Sequence, residues 1–147
     1  MVDFAPAQQQ DIPLLCQLSR ELILTYEDPT QVDIPECLAW MERKFTKRLS
    51  EYHRILWEGQ LAGFIRACAG PEKLELDDLY ILPGFRGQGI GTQALGRCLR
   101  ESRRPVFFYV FCRNQGAIRL YQRLGCVITR QPDSTHYIME YPPPESS

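Results

Sequence analysis

The sequence predicts an α/β fold, a mixed sheet with helices on both faces. Three observations predict it. Strand-like and helix-like apolar spacings alternate along the chain. Glu58-Gly59, between two strand-like runs, is a hairpin signal. The stretch "LELDDLYILPGFRGQGIGTQAL", Leu74 to Leu95, passes from an apolar strand through a Pro-Gly break and a glycine-rich turn into a helical pattern.

Val2 to Ala5 opens as a short strand. Asp11 with Pro13 starts a helix on which Ile12, Leu15, Leu18, Leu22 and Ile23 recur at helical spacing. Tyr26 to Asp33 is a loop. Asp33 then stands as an N-cap with Glu36 three residues on, a capping-box-like start. In the helix that follows, Leu38, Met41, Phe45 and Leu49 share a face. "RILWEGQLAGFIRACAG" reads as two strands, Leu74 to Leu82 as a third. Ile90 to Arg103 is a helix facing inward with Ile90, Ala94, Leu95, Cys98 and Leu99. The unbroken apolar run "VFFYVF", Val106 to Phe111, predicts a strand buried on both faces. Asn114 caps a short helix carrying Ala117, Ile118, Leu120, Tyr121 and Leu124, with Gly125 as its C′ residue. Cys126 to Thr129 and Tyr137 to Tyr141 close the chain as an antiparallel pair. The order is β-α-α-β-β-β-α-β-α-β-β, one domain over residues 1–147, with 142–147 ("PPPESS") as a frayed tail.

A chain of 147 residues is long enough for one domain with a real core. Its net charge of −1 argues against a nucleic-acid binder that relies on bulk electrostatics. No apolar run approaches the roughly 20 residues that span a bilayer, and the first residues lack a basic, apolar leader pattern. The expectation is a cytoplasmic protein without nucleic-acid or membrane partners. The six cysteines form no C-x-x-C pair, and no His stands at ligand spacing, so no metal site is expected. They are expected to be reduced structural thiols in apolar segments.

The strand Leu74 to Leu82 changes phase. Leu74 and Leu76 share one parity, Leu79 and Ile81 the other. A strand has period two, so a β-bulge near Asp77-Asp78 is expected to absorb the extra residue. Such a bulge leaves ladder groups for a ligand to pair with.

Three glycine-rich turns compete for Arg86 to Gly91. A phosphate loop needs Lys-Ser/Thr where Ile90-Gly91 stands. Gly89, Gly91 and Ala94 fit the dinucleotide fingerprint, but Tyr109 stands where the ribose-binding acid belongs, and too little chain follows for the remaining βαβ units. The third pattern is R-x-x-G-x-G, here Arg86, Gly89 and Gly91. Glycine lets backbone approach a ligand closely, and the helix that follows adds free N–H groups and its positive dipole end. Together they make a phosphate site.

This turn resembles the acyl-CoA-binding turn of the GNAT superfamily of N-acetyltransferases. "YILPGFRGQGIGTQAL" is similar to that superfamily's strand–Pro–turn–helix block. "NQGAIRLYQRLGC" is similar to its later block, and the spacing between the two also fits. The resemblance implies a mostly antiparallel sheet of six to seven strands and acetyl-CoA as acetyl donor, with no metal. It implies that the pyrophosphate rests on the turn Arg86, Gly87, Gln88, Gly89, Ile90, Gly91 and Thr92. The pantetheine arm would run along Leu79, Tyr80 and Ile81, in a slot where Leu74–Leu82 and Val106–Phe111 splay apart. Asn114 would touch the same arm as well as cap its helix.

The chemistry follows from the acceptor. An alkylamine, with a pKa near 10 like lysine, must lose a proton before it attacks a thioester. Glu75, Asp77 and Asp78 on the slot strand are candidate acceptors of that proton. Glu75, eleven residues before Arg86, matches a catalytic Glu of some members and ranks first. The Ile81 N–H would hold the oxyanion. Tyr121 occupies the position of the superfamily's acid for the leaving thiolate. His53 and His136 read as structural, and Cys112 lacks the His base that an acyl-Cys route needs. Glu27, Asp28, Asp33 and Asp133 would give an acidic rim that favours a cationic amine, small molecule or peptide. Dimers are common in the superfamily, so a homodimer is a further expectation. The alternative is a catalytically idle CoA-binding module.

Overall fold

The computed structural model describes residues 1–142; residues 143–147 of the expected tail lie outside the described residues. The chain runs β1 (Val2–Pro6), α1 (Ile12–Tyr26), α2 (Ile34–Lys47), β2 (Tyr52–Trp57), β3 (Gln60–Ala69) and β4 (Leu74–Ile81). It continues with α3 (Ile90–Glu101), β5 (Val106–Phe111), α4 (Gln115–Arg123), β6 (Val127–Arg130) and β7 (His136–Tyr141). The strands form one seven-stranded sheet in the order β1-β2-β3-β4-β5-β7-β6. Each neighbouring pair is antiparallel except β4–β5, whose parallel pairing needs the α3 crossover. The mixed, mostly antiparallel fold and its element order are therefore as expected.

Strand alternation divides the core between the two faces. Ile65, Leu76 and Phe108 pack with Ile90, Ala94 and Leu95 of α3 and Ile118 of α4. Phe64, Tyr80 and Tyr52 pack on the other face with Leu15 and Leu18 of α1 and Phe45 of α2. Tyr52 meets Phe45 edge-on, ring centroids 5.2 Å apart. Full burial of a side chain such as Phe45 or Leu15 contributes about 1.5–3 kcal/mol.

Local details depart from the sequence reading where tertiary partners take over. Asp11 stands at the N-cap of α1, but its carboxylate does not cap that helix. It accepts the Gln8 amide at 2.8 Å and both Nε and Nη2 of Arg54 at 2.8 Å. Leu49 lies beyond the end of α2, in a short 3-10 turn, and still reaches the α1–α2 core. The turn between β2 and β3 has Glu58 and Gly59 at φ 50° and 80°, the left-handed pair a tight hairpin needs. Among the described residues no helix is long and apolar enough to cross a membrane.

β4 carries the expected bulge. Arg66 pairs with Asp77 and Phe64 with Tyr80, so β4 holds one residue more than β3 across that step. Asp78 takes up the extra residue at φ 51°. In consequence Leu74 and Leu76 before the bulge, and Leu79 and Ile81 after it, all pack on the same core. On β3, Gly63 leaves the room: a Cβ there would stand 2.1 Å from the Tyr80 carbonyl oxygen.

β4 and β5 pair only at Leu74–Val106 and Glu75–Phe107, and then separate. The separation corrects the reading of β5 as buried on both faces. Tyr109, in the middle of the strand, is 47% exposed because the neighbour that would cover it has moved away.

Candidate active site

The splay opens a cleft of about 1220 Å³ between the α1–α2 side and α4. Its walls include Glu75, Asp77 and Asp78 of β4, Tyr109 and Phe111 of β5, Asn114 at the N-cap of α4 and Tyr121 within that helix. The three carboxylates, Tyr121 and Asn114 singled out in the sequence are thus brought to one cavity.

Arg66 organises the carboxylates. Only 5% exposed, it sends Nη1 to Glu75 Oε2 and Asp77 Oδ2, both at 3.2 Å, and Nε to Glu51 Oε1 at 2.9 Å. Asp77 turns its other oxygen to the Tyr109 N–H at 3.3 Å. Glu75 and Asp77 are also hydrogen-bonded to each other, and their acidities move apart. The bond from Asp77, with the Arg66 charge, holds the Glu75 carboxyl below its ordinary value against the effect of burial. Burial first, then the bond and charge of Glu75, push Asp77 well above its ordinary value. The two carboxyls titrate as a pair, and the opposed directions make Glu75 the more acidic of the two and Asp77 the readier to hold a proton. Asp78 belongs to a separate group. Its Oδ2 accepts Lys44 Nζ at 2.9 Å and the Tyr52 hydroxyl, which ties the bulge to α2 and β2.

Tyr121 packs edge-on against Phe108, centroids 4.6 Å apart. Burial, then the neighbouring Asp77, raises its hydroxyl above the ordinary tyrosine value, so it holds its proton. Asp77, Tyr109 and Tyr121 also border a void of about 30 Å³ behind the bulge, which has room for a water. Asn114 caps α4 through the Ala117 amide at 3.2 Å, as its sequence position implied, and also faces the cleft.

The glycine-rich turn has the form an anion site needs. Gly87 and Gly89 sit at φ 76° and 79°, and a Cβ at either would meet nothing within 4 Å. Among the described residues, none of the amides of residues 87–92 donates to a protein acceptor; the first helical bond runs from Gln93 to the Gly89 carbonyl. Arg86 departs from its expected role. Its amide donates to Pro83 at 3.4 Å, and its guanidinium binds the Ile81 carbonyl and Glu21, each at 2.9 Å. It braces the turn against β4 and α1 and occupies one carbonyl of the segment expected to pair with a ligand. The cleft reaches Arg86 and Gly91; Gly87, Gln88, Gly89 and Thr92 are not among its lining residues. The side chains of Tyr80 and Ile90 point into the two cores, leaving only their backbone for a ligand.

Of the acidic rim, Glu27, Asp33 and Asp133 line the cleft. Asp28 turns into its own loop, accepting the Thr30 amide and hydroxyl at 2.9 and 2.7 Å. His136 borders the cleft against Phe111, with Nδ1 held 3.1 Å from Asp133. The six cysteines are free thiols, and burial raises Cys98 and Cys126 to about 11. Cys37 and Cys68, read as structural, instead line the cleft, whereas Cys112 does not. Sequence reasoning missed Arg66, Lys44 and Trp40. Arg66 had a signal: it is the one charge within the apolar run "LAGFIRACA".

A model of the acetyltransferase (GNAT) family matches residues 17–126, well over half of the chain. Over 58 residues the chain is 38% identical to an uncharacterized N-acetyltransferase of Methanocaldococcus jannaschii. That match covers 37% of this chain and 26% of the relative, so the chain spans about a quarter of the length of that curated protein. The PaiA N-acetyltransferase of Thermoplasma acidophilum, crystallised with coenzyme A, superposes with a TM-score of 0.71 at 21% identity, over 95% of this chain and 98% of that one. The spermidine N-acetyltransferase of Vibrio cholerae, in complex with CoA and spermine, superposes with a TM-score of 0.67 at 16% identity, over 95% and 94%. At these identities the two likenesses are of fold.

Proposed function

Because the chain belongs to the acetyltransferase (GNAT) family, we propose that it moves an acetyl group from acetyl-CoA to a primary amine by direct attack in a ternary complex. One observation carries the reading: the carboxylate pair and Tyr121 line one cleft, opened where β4 and β5 part, and that cleft reaches the glycine-rich turn at Arg86 and Gly91. The coenzyme A held by two fold neighbours supports the choice of donor.

The amides of residues 87–92 would hold the diphosphate, with the dipole of α3 behind them. Glu75, charged beside Arg66, takes the proton of the incoming ammonium. The neutral nitrogen forms its bond to the acetyl carbon, and the Ile81 N–H receives the oxyanion. As the C–S bond breaks, Tyr121 gives its proton to the leaving thiolate, and the extra proton of the acylated nitrogen, passed on through water, restores the tyrosine hydroxyl. Asp77 keeps the shared proton and fixes the orientation of Glu75.

Release of free thiol from acetyl-CoA across a panel of amines, with acetylated product weighed by mass spectrometry, tests the proposal. Amine-dependent release is expected. An acetyl-CoA-induced rise in Tm with no thiol release from any amine would replace transfer with the idle CoA-binding module.

A further inference from the structure

Most charged side chains along the cleft already have partners. Lys44 sits on Asp78, Arg48 on Glu51, Arg66 on its three carboxylates and Arg86 on Glu21. Asp33 caps α2 through the Glu36 amide at 3.1 Å, and Asp133 accepts the Thr135 and His136 amides at 2.8 Å. Glu27 is different. It lines the cleft, is 9% exposed, and enters no ion pair among the described residues. Its one hydrogen bond is a long one, 3.4 Å from the amide of Asp28 to Oε1. A buried carboxylate is costly unless a cation answers it.

The position of Glu27 relative to the carboxylate pair gives the ligand its shape. The ring of Tyr26, next in the chain, stacks on Phe111 at 5.9 Å, which places this end of α1 by the far end of β5. Glu75 pairs with Phe107 near the start of β5, about 13 Å of strand away. Tyr109 and Phe111 line the wall between them, and the half-exposed Trp40 lines the cleft from α2.

We propose that the acceptor is an elongated amine bearing a second cationic group. Its near nitrogen reaches Glu75 for acetylation, its far cation pairs with Glu27, and its methylenes pass the half-exposed Tyr109, whose ring face also favours cations. This inference rests on the transfer reading and assigns the far end of the same cleft.

Calorimetry with straight-chain diamines, chain-matched monoamines and ω-amino acids, on protein saturated with coenzyme A, tests it. Thiol release from acetyl-CoA with the same compounds tests transfer separately. The diamine is expected to bind at least about tenfold more tightly than the matched monoamine, and the amino acid most weakly. Glu27→Gln removes most of that preference, and Glu27→Asp keeps part of it. Equal binding of diamine and monoamine by the unaltered protein overturns the proposal and requires no variant. So does an undiminished preference in a Glu27→Gln protein that still binds coenzyme A. Diamine binding without any thiol release overturns transfer and leaves the second-cation site standing. Equal thiol release from diamines and monoamines does the reverse.

Discussion

Asp77 Oδ1 accepts the Tyr109 N–H at 3.3 Å across the gap where β4 and β5 part. A side-chain oxygen thus replaces the strand partner that Tyr109 loses at the splay, while the other oxygen of Asp77 faces Arg66 and Glu75. Both oxygens of the carboxylate that holds the gap are thereby occupied, and the proposed transfer assigns the base to its neighbour Glu75.

Glu75→Gln is therefore expected to lower kcat/KM by about 10²-fold or more. Asp77→Asn, which keeps an acceptor for Tyr109 and a donor for Glu75, should cost far less. Arg66→Gln removes the cation that holds Glu75 low, so its base form appears at higher pH. The acid limb of the kcat/KM profile should move upward relative to the unaltered protein. Steady-state profiles of the three variants check this, and a larger loss in Asp77→Asn than in Glu75→Gln would exchange the roles of the two residues.

The pair also makes stability depend on pH with opposed signs. Glu75, whose folded pKa is depressed, contributes stability above its ordinary value and loses it as pH falls. Asp77, whose folded pKa is raised, contributes at low pH and loses its contribution as pH climbs above 3.8. Asp77→Asn removes the second effect alone. Thermal melts should show the variant gaining Tm on the unaltered protein as pH climbs above 3.8, and a difference that stays constant from below 3.8 upward would refute the assignment of the shared proton.

Tyr121→Phe keeps the edge-on contact with Phe108 and loses only the hydroxyl. Turnover should fall by about 10²-fold or more while the acetyl-CoA-induced rise in Tm persists. Normal turnover would remove Tyr121 from proton transfer.

Gly89→Ala meets no steric obstacle beyond its own backbone, since nothing lies within 4 Å of the added Cβ. Its left-handed φ of 79° should still cost about 1–2 kcal/mol. Coenzyme A affinity should fall with it, because a relaxed turn no longer points its amides together. Calorimetry and a denaturant melt read the two losses.

Gly63→Ala meets the opposite problem, an added carbon 2.1 Å from the Tyr80 carbonyl oxygen. A loss of about 1–3 kcal/mol is expected from urea unfolding. Because the strain falls on the bulge, turnover should drop even at temperatures where the variant is folded.

The legible parts were those that local chemistry decides. The phase change from Leu74–Leu76 to Leu79–Ile81 announced the bulge, since an unbroken period of two would send the two pairs to opposite faces. The glycines at 87 and 89 announced a left-handed turn before a helix. The less legible parts depend on distant chain. Asp11 reads as an ordinary cap until Arg54 arrives from β2. Glu27 reads as one polar loop residue among several, because burial by the cleft wall leaves no periodic trace. The β5 run gave the wrong exposure for Tyr109 for the same reason: an apolar pattern cannot announce that a neighbouring strand diverges.

The seam between β4 and β5 is two residue pairs long, yet among the described residues it is the only main-chain ladder joining the first four strands to the last three. So short a joint resists bending weakly. A donor and an acceptor lodged in the opening would act as a keystone, fixing the angle between the two parts. Full rigidity then arrives with the cargo, and hydrogen exchange at Tyr109, Val110 and Phe111 should slow most sharply when both are present.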